Sequence, residues 1–252
     1  MLFFSMLLLG GLIGFVGAGG AGVTIALLTV GFHVPIHTAV GVALASMIFT
    51  TISGAVSHFR EKEVEVKTGA VIGGGGIIGA FAGAAVSNRF SSDTLSTMTA
   101  VMMLASAVIL YAKVYHSAWI SQHFPVRTEL LAGGRLYGYG ILAGIINGFL
   151  SSAFGIGAAA FIQLSLMMIF GVSLLKSVGT CMMIISPISA AGGIGYLLNG
   201  RLDLTIFAQT LLGLMIGAWF GAKGTHLAPL PVLKFCIVAM SAIGGIIMLL
   251  FH

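Results

Sequence analysis

Long apolar runs, each about the length of a membrane crossing, most constrain what this chain can fold into. Residues 2–32 contain no charged side chain, and further apolar runs cover residues 38–57, 68–88 and 94–112. A helix needs about 20 mostly apolar residues to cross the hydrocarbon core of a bilayer. Only 7% of the residues are charged, whereas soluble domains carry about 25%. The runs also lack the alternation of a membrane β-barrel, so we expect an all-α integral membrane protein in a lipid bilayer.

Two stretches of small residues interrupt the apolar runs, residues 14–22 (GFVGAGGAG) and residues 153–160 (AFGIGAAA). Gly17 in the first stretch and Gly155 in the second are 138 residues apart. We call this separation the repeat offset, and we call two residues that are this far apart in the sequence mates. The repeat offset also places residues 79–84 (GAFAGA) on residues 217–222 (GAWFGA) without a gap. Internal duplication of this kind is typical of secondary transporters and much less so of membrane enzymes.

The duplication predicts one transmembrane domain, residues 1–252, built from two homologous repeats. Repeat one covers residues 1–115, repeat two covers residues 136–252, and a polar linker, residues 116–135, joins them. Each repeat is predicted to hold a broken or re-entrant first segment followed by three transmembrane helices.

The distribution of Lys and Arg favours inverted repeats, because such residues collect on the cytoplasmic side. If each first segment is one straight helix, seven of the eleven Lys and Arg residues lie on one side of the membrane, and four lie on the other: Arg89, Lys176, Lys223 and Lys234. If each first segment is broken in two, nine lie on one side, and only Arg89 and Arg201 lie on the other. The second arrangement places the central linker in the cytoplasm and both termini outside.

The positions of the carboxylates restrict the substrate. All six lie in predicted loops or at membrane edges; they are Glu61, Glu63, Glu65, Asp93, Glu129 and Asp203. A cation pump or a carboxylate proton relay normally needs an acidic group within the membrane. We therefore expect an anionic or neutral substrate.

The two breaks offer what an anion requires. A helix that restarts after Gly22, at Val23, and its mate that restarts near Ala158 would each direct unpaired backbone N–H groups and a positive dipole end into the bundle. Glycine also lets a ligand approach the backbone closely. The alternative that these glycines only permit close helix packing stays open.

The predicted substrate site combines the breaks with polar residues that flank them. Its members are Gly17, Gly19, Gly20, Gly22, Ser46, Thr50, Asn147, Ser152, Gly155, Gly157, Gln163, Thr180, Cys181 and Ser186. For the hydroxyl residues, a hydrogen bond back to their own helix is the alternative role.

Enzyme chemistry finds no support in the sequence. No Ser/His/Asp set, metal cluster or cofactor motif is recognisable, and no catalytic residue, metal or cofactor is predicted. His33 and His37 flank Pro35 and lack a third ligand. Basic residues do not cluster with aromatic ones, so nucleic-acid binding is not expected either.

Several short motifs together resemble the sulfite exporter TauE/SafE family of multi-pass permeases, over nearly the whole chain. The first half carries Gly17-Ala18-Gly19-Gly20, Val34-Pro35, Ala39-Val40-Gly41, Gly54 with His58, and Gly79 to Gly83; the second carries Gly155-Ile156-Gly157, Ser177-Val178-Gly179-Thr180 and Gly200-Arg201-Leu202-Asp203. The resemblance implies transport of small sulfur-containing anions, such as sulfite or organosulfonates, coupled to an ion gradient, and residence in the bacterial cytoplasmic (inner) membrane.

The chain departs from that family where specificity is expected. The family has glycines at the positions of Ala158 and Ala159, a proline at that of Gln163, and often a serine at those of Ala43 and Cys181. These positions lie at the predicted site.

The residues and the resemblance together predict a secondary transporter of sulfite, sulfonates such as sulfoacetate, or related organosulfur compounds. A passive channel for anions or small solutes is the alternative. The coupling ion (H⁺ or Na⁺), the direction of transport and formation of a homodimer stay open.

Substituting Val at Gly19 or Gly157 should abolish substrate binding while the protein still inserts into the membrane, because the added side chain occupies the predicted site. Binding to purified variants, compared with their expression, measures this. Binding equal to wild type in both variants would contradict a site at the breaks.

Reporter fusions at the two termini should both read outside the cytoplasm, because a broken first segment makes the number of crossings in each repeat odd. Termini that both read cytoplasmic would contradict the inverted arrangement.

Overall fold

The computed structural model describes residues 1–16, 20–115, 130–131, 133–155, 158–225 and 230–251. Within these ranges all regular structure is helical, as predicted. The helices are α1 (Leu2–Val16), α2 (Gly20–Ala26, continued by a π-helical segment Leu27–Gly31), α3 (Ile36–Arg60), α4 (Val66–Ser87), α5 (Ser92–Tyr115), α6 (Gly134–Phe154), α7 (Ala159–Met168), α8 (Leu174–Leu198), α9 (Leu204–Thr225) and α10 (Leu230–Leu250). Most of the predicted linker, residues 116–129 and 132, lies outside the described ranges.

Five of the described helices are long and apolar enough to cross a membrane, namely α3, α4, α5, α6 and α8. Helices suit this environment because they satisfy their backbone hydrogen bonds internally, where the hydrocarbon offers no water. Large apolar side chains such as Leu8, Leu198 and Phe220 are exposed on the helix surfaces, as a surface in contact with lipid requires.

The helix boundaries recur at the repeat offset. When α3 and α4 are shifted by this offset, they coincide end to end with α8 and α9.

The first break differs in detail from the sequence prediction. Gly20 and Gly22 already lie inside α2 and are buried, so the helix does not restart after Gly22. They are tolerated there because neighbouring side chains take up the space that a Cβ atom would fill, Ile13 beside Gly20 and Met103 beside Gly22.

Glycines bring α4 and α6 into backbone contact. A Cβ atom on Gly75 would lie 2.5 Å from the carbonyl oxygen of Ile141, and one on Gly79 would overlap that of Ile145. Small residues permit such close approach between membrane helices. Because the residue numbers rise together along the two helices, α4 and α6 run parallel.

Helices α1 and α9 pack in the same way. A Cβ atom on Gly213 would lie 2.8 Å from the carbonyl oxygen of Phe3, and one on Gly217 would overlap that of Leu7. These residues are the mates of those in the α4–α6 contacts, with the roles of the two halves exchanged.

Helices α3 and α8 pack against each other in opposite directions. Gly41 near the start of α3 lies against Tyr196 near the end of α8. Further along, the hydroxyl of Ser186 donates to Oγ1 of Thr51 at 3.1 Å. Because the residue numbers rise in α3 as they fall in α8, the pair is antiparallel.

The connections between helices also recur. Positive φ angles occur at His33 (52°) and Lys62 (61°), and at their mates Gly171 (68°) and Gly200 (66°). The turns that reverse the chain therefore have a common backbone form in both halves, although only the second half uses glycine for it.

Replacing Gly79 with Ala should destabilise the protein by about 1–3 kcal/mol, the usual range for overpacking, because the added methyl group would meet the backbone of α6. Gly74→Ala is the matched control in the same helix, since its Cβ atom would have no neighbour within 4 Å. Thermal unfolding in detergent measures both, and Gly217→Ala should behave like Gly79→Ala. Equal midpoints for Gly79→Ala and Gly74→Ala would contradict backbone contact.

Candidate functional site

A small, partly open cavity with a volume of about 30 Å³ lies where both broken segments meet two long helices. Its described lining residues come from α2, α5, α7 and α10; they are Gly22, Met103, Ser106, Leu110, Ala159, Ala160 and Ser241.

Both halves of the chain contribute equivalent positions to this cavity. Gly22 and Ala160 are mates at the repeat offset, and so are Met103 and Ser241. Met103 lies near the middle of α5, and Ser241 lies near the middle of α10. The cavity therefore lies midway along two of the long helices, between corresponding parts of the two halves.

The described residues on either side of the second break lie close to the cavity or to the start of α3. Helix α6 ends at Gly155, which has φ 69°, a left-handed conformation that glycine adopts without strain. Gly155 lies against Ile25 and against Val40 in the second turn of α3. At the start of α7, the carbonyl of Ala159 accepts a hydrogen bond from the thiol of Cys181 at 3.5 Å. Since Ala159 lines the cavity, this bond helps to fix the cavity wall.

The structure places three of the predicted site residues at or beside the cavity. Gly22 lines it, Cys181 holds Ala159, and Gly20 begins the helix that carries Gly22. Gly17, Gly19 and Gly157 lie outside the described residues.

A second group of predicted residues is buried between α3, α6 and α8. The hydroxyl groups of Ser46 and Ser152 are buried without a hydrogen-bond partner. A Cβ atom on Gly192 would lie 2.9 Å from the Ser152 hydroxyl oxygen, so Ser152 packs against α8.

The amide residues lie along the α6–α7 pair. Asn147 donates to the carbonyl oxygen of Ala143 at 2.8 Å and to the hydroxyl of Ser165 at 3.4 Å. Gln163 is also buried. Asn147 thus links α6 to α7, the helix whose first residues line the cavity.

The remaining predicted hydroxyl residues bond to helices or turns. Thr50 donates to its own helix at the carbonyl of Met47, 3.0 Å away. Ser186 donates to Thr51, as described above, and to its own helix. Thr180 accepts a hydrogen bond from the backbone N–H of Glu65 at 2.9 Å. Thr180 therefore lies at the connection between α3 and α4, away from the cavity.

Charged side chains in the described ranges lie at helix ends. Lys176 Nζ approaches Glu65 Oε1 to 2.6 Å where α8 and α4 begin. Asp203 accepts hydrogen bonds from the backbone N–H groups of Thr205 and Ile206 at the start of α9. The described cavity lining, in contrast, is entirely uncharged.

The described residues include a group of potential metal ligands that does not involve His33 or His37, the two histidines considered from the sequence. His58, Glu61 and Glu63 bring ligand atoms within 4.8 Å of one another at the end of α3. His58 Nδ1 lies 3.0 Å from Glu63 Oε2. A hydrogen bond between these two side chains at a partly exposed turn accounts for this arrangement.

Sequence reasoning missed the cavity residues that long helices supply, chiefly Met103, Ser106, Leu110 and Ser241. They lie far in sequence from either break, so the breaks gave no reason to select them. The relation of Met103 to Ser241 by the repeat offset is the signal that was available.

Comparisons with known proteins identify the family. Residues 2–248 match the family described as Sulfite exporter TauE/SafE. The chain belongs to the sulfite exporter TauE/SafE family. The family resemblance noted in the sequence is thereby confirmed.

Curated relatives come from Bacillus subtilis (strain 168). "Probable membrane transporter protein YdhB" is 43% identical over 244 residues, which cover 97% of this chain and 97% of the relative. "Probable membrane transporter protein YunE" is 29% identical over 194 residues, 74% of this chain and 70% of the relative. "Probable membrane transporter protein YjnA" is 24% identical over 247 residues, 95% of each chain. No solved structure matches the chain.

These relatives support transport, the class predicted in place of an enzyme, although their names specify no substrate. Together with the membrane-length helices, they confirm the prediction of a multi-pass bacterial membrane protein.

Proposed function

We propose that this TauE/SafE protein is a secondary transporter of small sulfur-containing anions such as sulfite or short organosulfonates. The observation that carries the proposal is the cavity that α2 and α7 both line, midway along α5 and α10. Substrate sites of secondary transporters typically lie between repeats at interrupted helices. The family description supplies the sulfur oxyanion.

The proposal includes two inverted repeats, residues 1–115 and 136–252, within one transmembrane domain. Helix direction supports this division, because α3 and its mate α8 run antiparallel. The exchanged contacts of α4 with α6 and of α1 with α9 support it as well. In an inverted pair, motion of one repeat against the other would open the cavity to alternate sides.

The distribution of cations supports an orientation with the α3–α4 turn in the cytoplasm. Arg60 and Lys62 flank this turn, and the Glu65–Lys176 pair brings the start of α8 to the same end. At the opposite end, the backbone carbonyl of Arg201 lies beside Gly41 in the first turns of α3. The first end collects more cations, as the cytoplasmic side does in membrane proteins.

An anion suits the cavity on chemical grounds. No carboxylate lines its described wall to repel negative charge, and Ser106 and Ser241 provide hydroxyl groups that can donate hydrogen bonds. Helix α7 also begins at the cavity, at Ala159, and the start of a helix presents free N–H groups and a partial positive charge.

Purified protein in liposomes should take up at least one of sulfite, thiosulfate, taurine and sulfoacetate in preference to sulfate. Uptake should saturate and should respond to an imposed H⁺ or Na⁺ gradient, since a secondary transporter couples substrate binding to a conformational change. Non-saturating flux that ignores both gradients would favour the passive channel. Binding of none of these sulfur anions would contradict the proposed substrate class.

The variant Gly22→Ala tests whether the substrate binds in the cavity, and it is measured in the same liposome assay. Its Cβ atom would lie 2.6 Å from the methyl carbon of Met103 and would crowd the cavity wall. The affinity should fall, because the methyl group of Met103 must move to make room for the added Cβ atom and Met103 lines the cavity. Gly11→Ala is the control, because its Cβ atom would have only an ordinary contact at 3.9 Å.

A further inference from the structure

Two pairs of mates line the cavity, and they differ in how well their members match. Gly22 and its mate Ala160 are both small, whereas Met103 and its mate Ser241 differ greatly in length. A long thioether therefore projects from α5 where the other half of the chain has a short hydroxyl side chain.

The methyl group of Met103 lies between two glycines. A Cβ atom on Gly22 of α2 would lie 2.6 Å from the Met103 methyl carbon, and one on Gly244 of α10 would lie 2.5 Å from it. The side chain is only 2% exposed. It thus fills the space between α2 and α10 that borders the cavity, and only the absence of side chains at both glycines leaves room for it.

We propose that Met103 is the specificity-determining residue of the cavity and limits its substrate to a small anion with a short carbon substituent. This inference rests on the function proposed above. The thioether has no hydrogen atom to donate to an oxyanion, but it packs well against carbon because it is apolar and polarisable. The hydroxyl residues Ser106 and Ser241 lie in the same wall and can donate to the anionic group.

The length of the side chain at position 103 limits the space that is left for a substrate, and a substitution there changes this limit. Met103 has three heavy atoms beyond Cβ, so its replacement by Ala opens room for about three methylene groups of a substrate. The glycines that face its methyl group, Gly22 and Gly244, have no side chain to move into the vacated space.

The test measures binding of two homologous series, n-alkanesulfonates and n-alkanecarboxylates of one to five carbons, to the purified full-length protein. Wild type should bind the shortest members best. Met103→Ala should shift the optimum to longer chains, with a gain of about fourfold for each additional methylene that the enlarged cavity buries. Met103→Leu, which conserves volume, should keep the wild-type order.

Met248→Ala is the matched control. Met248 is 1% exposed and belongs to the same buried cluster as Met103, yet it is not among the described residues that line the cavity. This variant should lose stability without changing the chain-length preference. Should Met103→Ala fail to fold, Met103→Cys removes two of the three heavy atoms and should produce a smaller shift in the same direction.

The two series separate failure of this inference from failure of the proposed function. An unchanged order in folded Met103→Ala or Met103→Cys overturns the role of Met103, and so does an equal shift in Met248→Ala. Binding of carboxylates without sulfonates overturns the sulfur substrate, while the chain-length shift still decides the role of Met103. Binding of neither series by any variant overturns both.

Discussion

Backbone contact at glycines holds the described structure together. Gly79 lies so close to the carbonyl of Ile145, and Gly217 to that of Leu7, that neither position has room for a side chain. Lipid is as apolar as the helix surfaces, so burial of apolar surface provides little force for helix association. Van der Waals packing, interhelical hydrogen bonds and lipid entropy drive it instead. Contact is closest where a glycine lets one backbone touch the other.

These contacts also determine where a site can form. The α4–α6 pair and the α1–α9 pair each join a helix of the first half to a helix of the second. With both pairs in place, α5 packs on α10 and α2 packs on α10, and α7 approaches α5 from the other half. The cavity takes residues from all four of these helices, so neither half of the chain contains it alone.

The recurrence of motifs and helix bounds at one offset was an informative sequence feature, because a single offset relates α3 to α8 and α4 to α9 over their whole lengths. The glycine stretches fall where α1 gives way to α2 and α6 gives way to α7, but Gly20 and Gly22 lie inside α2, and Ile13 lies beside Gly20, a contact that local sequence does not reveal. The place of Thr180 also depends on tertiary structure, since its hydroxyl accepts a hydrogen bond from the backbone N–H of Glu65, a residue distant in the sequence.

The sequence by itself determined the membrane environment, the all-helical class and the family. Those properties follow from composition, from run length and from short motifs, all of which are local features of the sequence. Only the tertiary structure decided which side chains share the cavity, because Met103 and Ser241 belong to helices that meet through contacts between distant parts of the chain. Met103 shows this dependence best: in the sequence it is one methionine of thirteen, and its place in the cavity wall between glycines of two other helices is visible only in the tertiary structure.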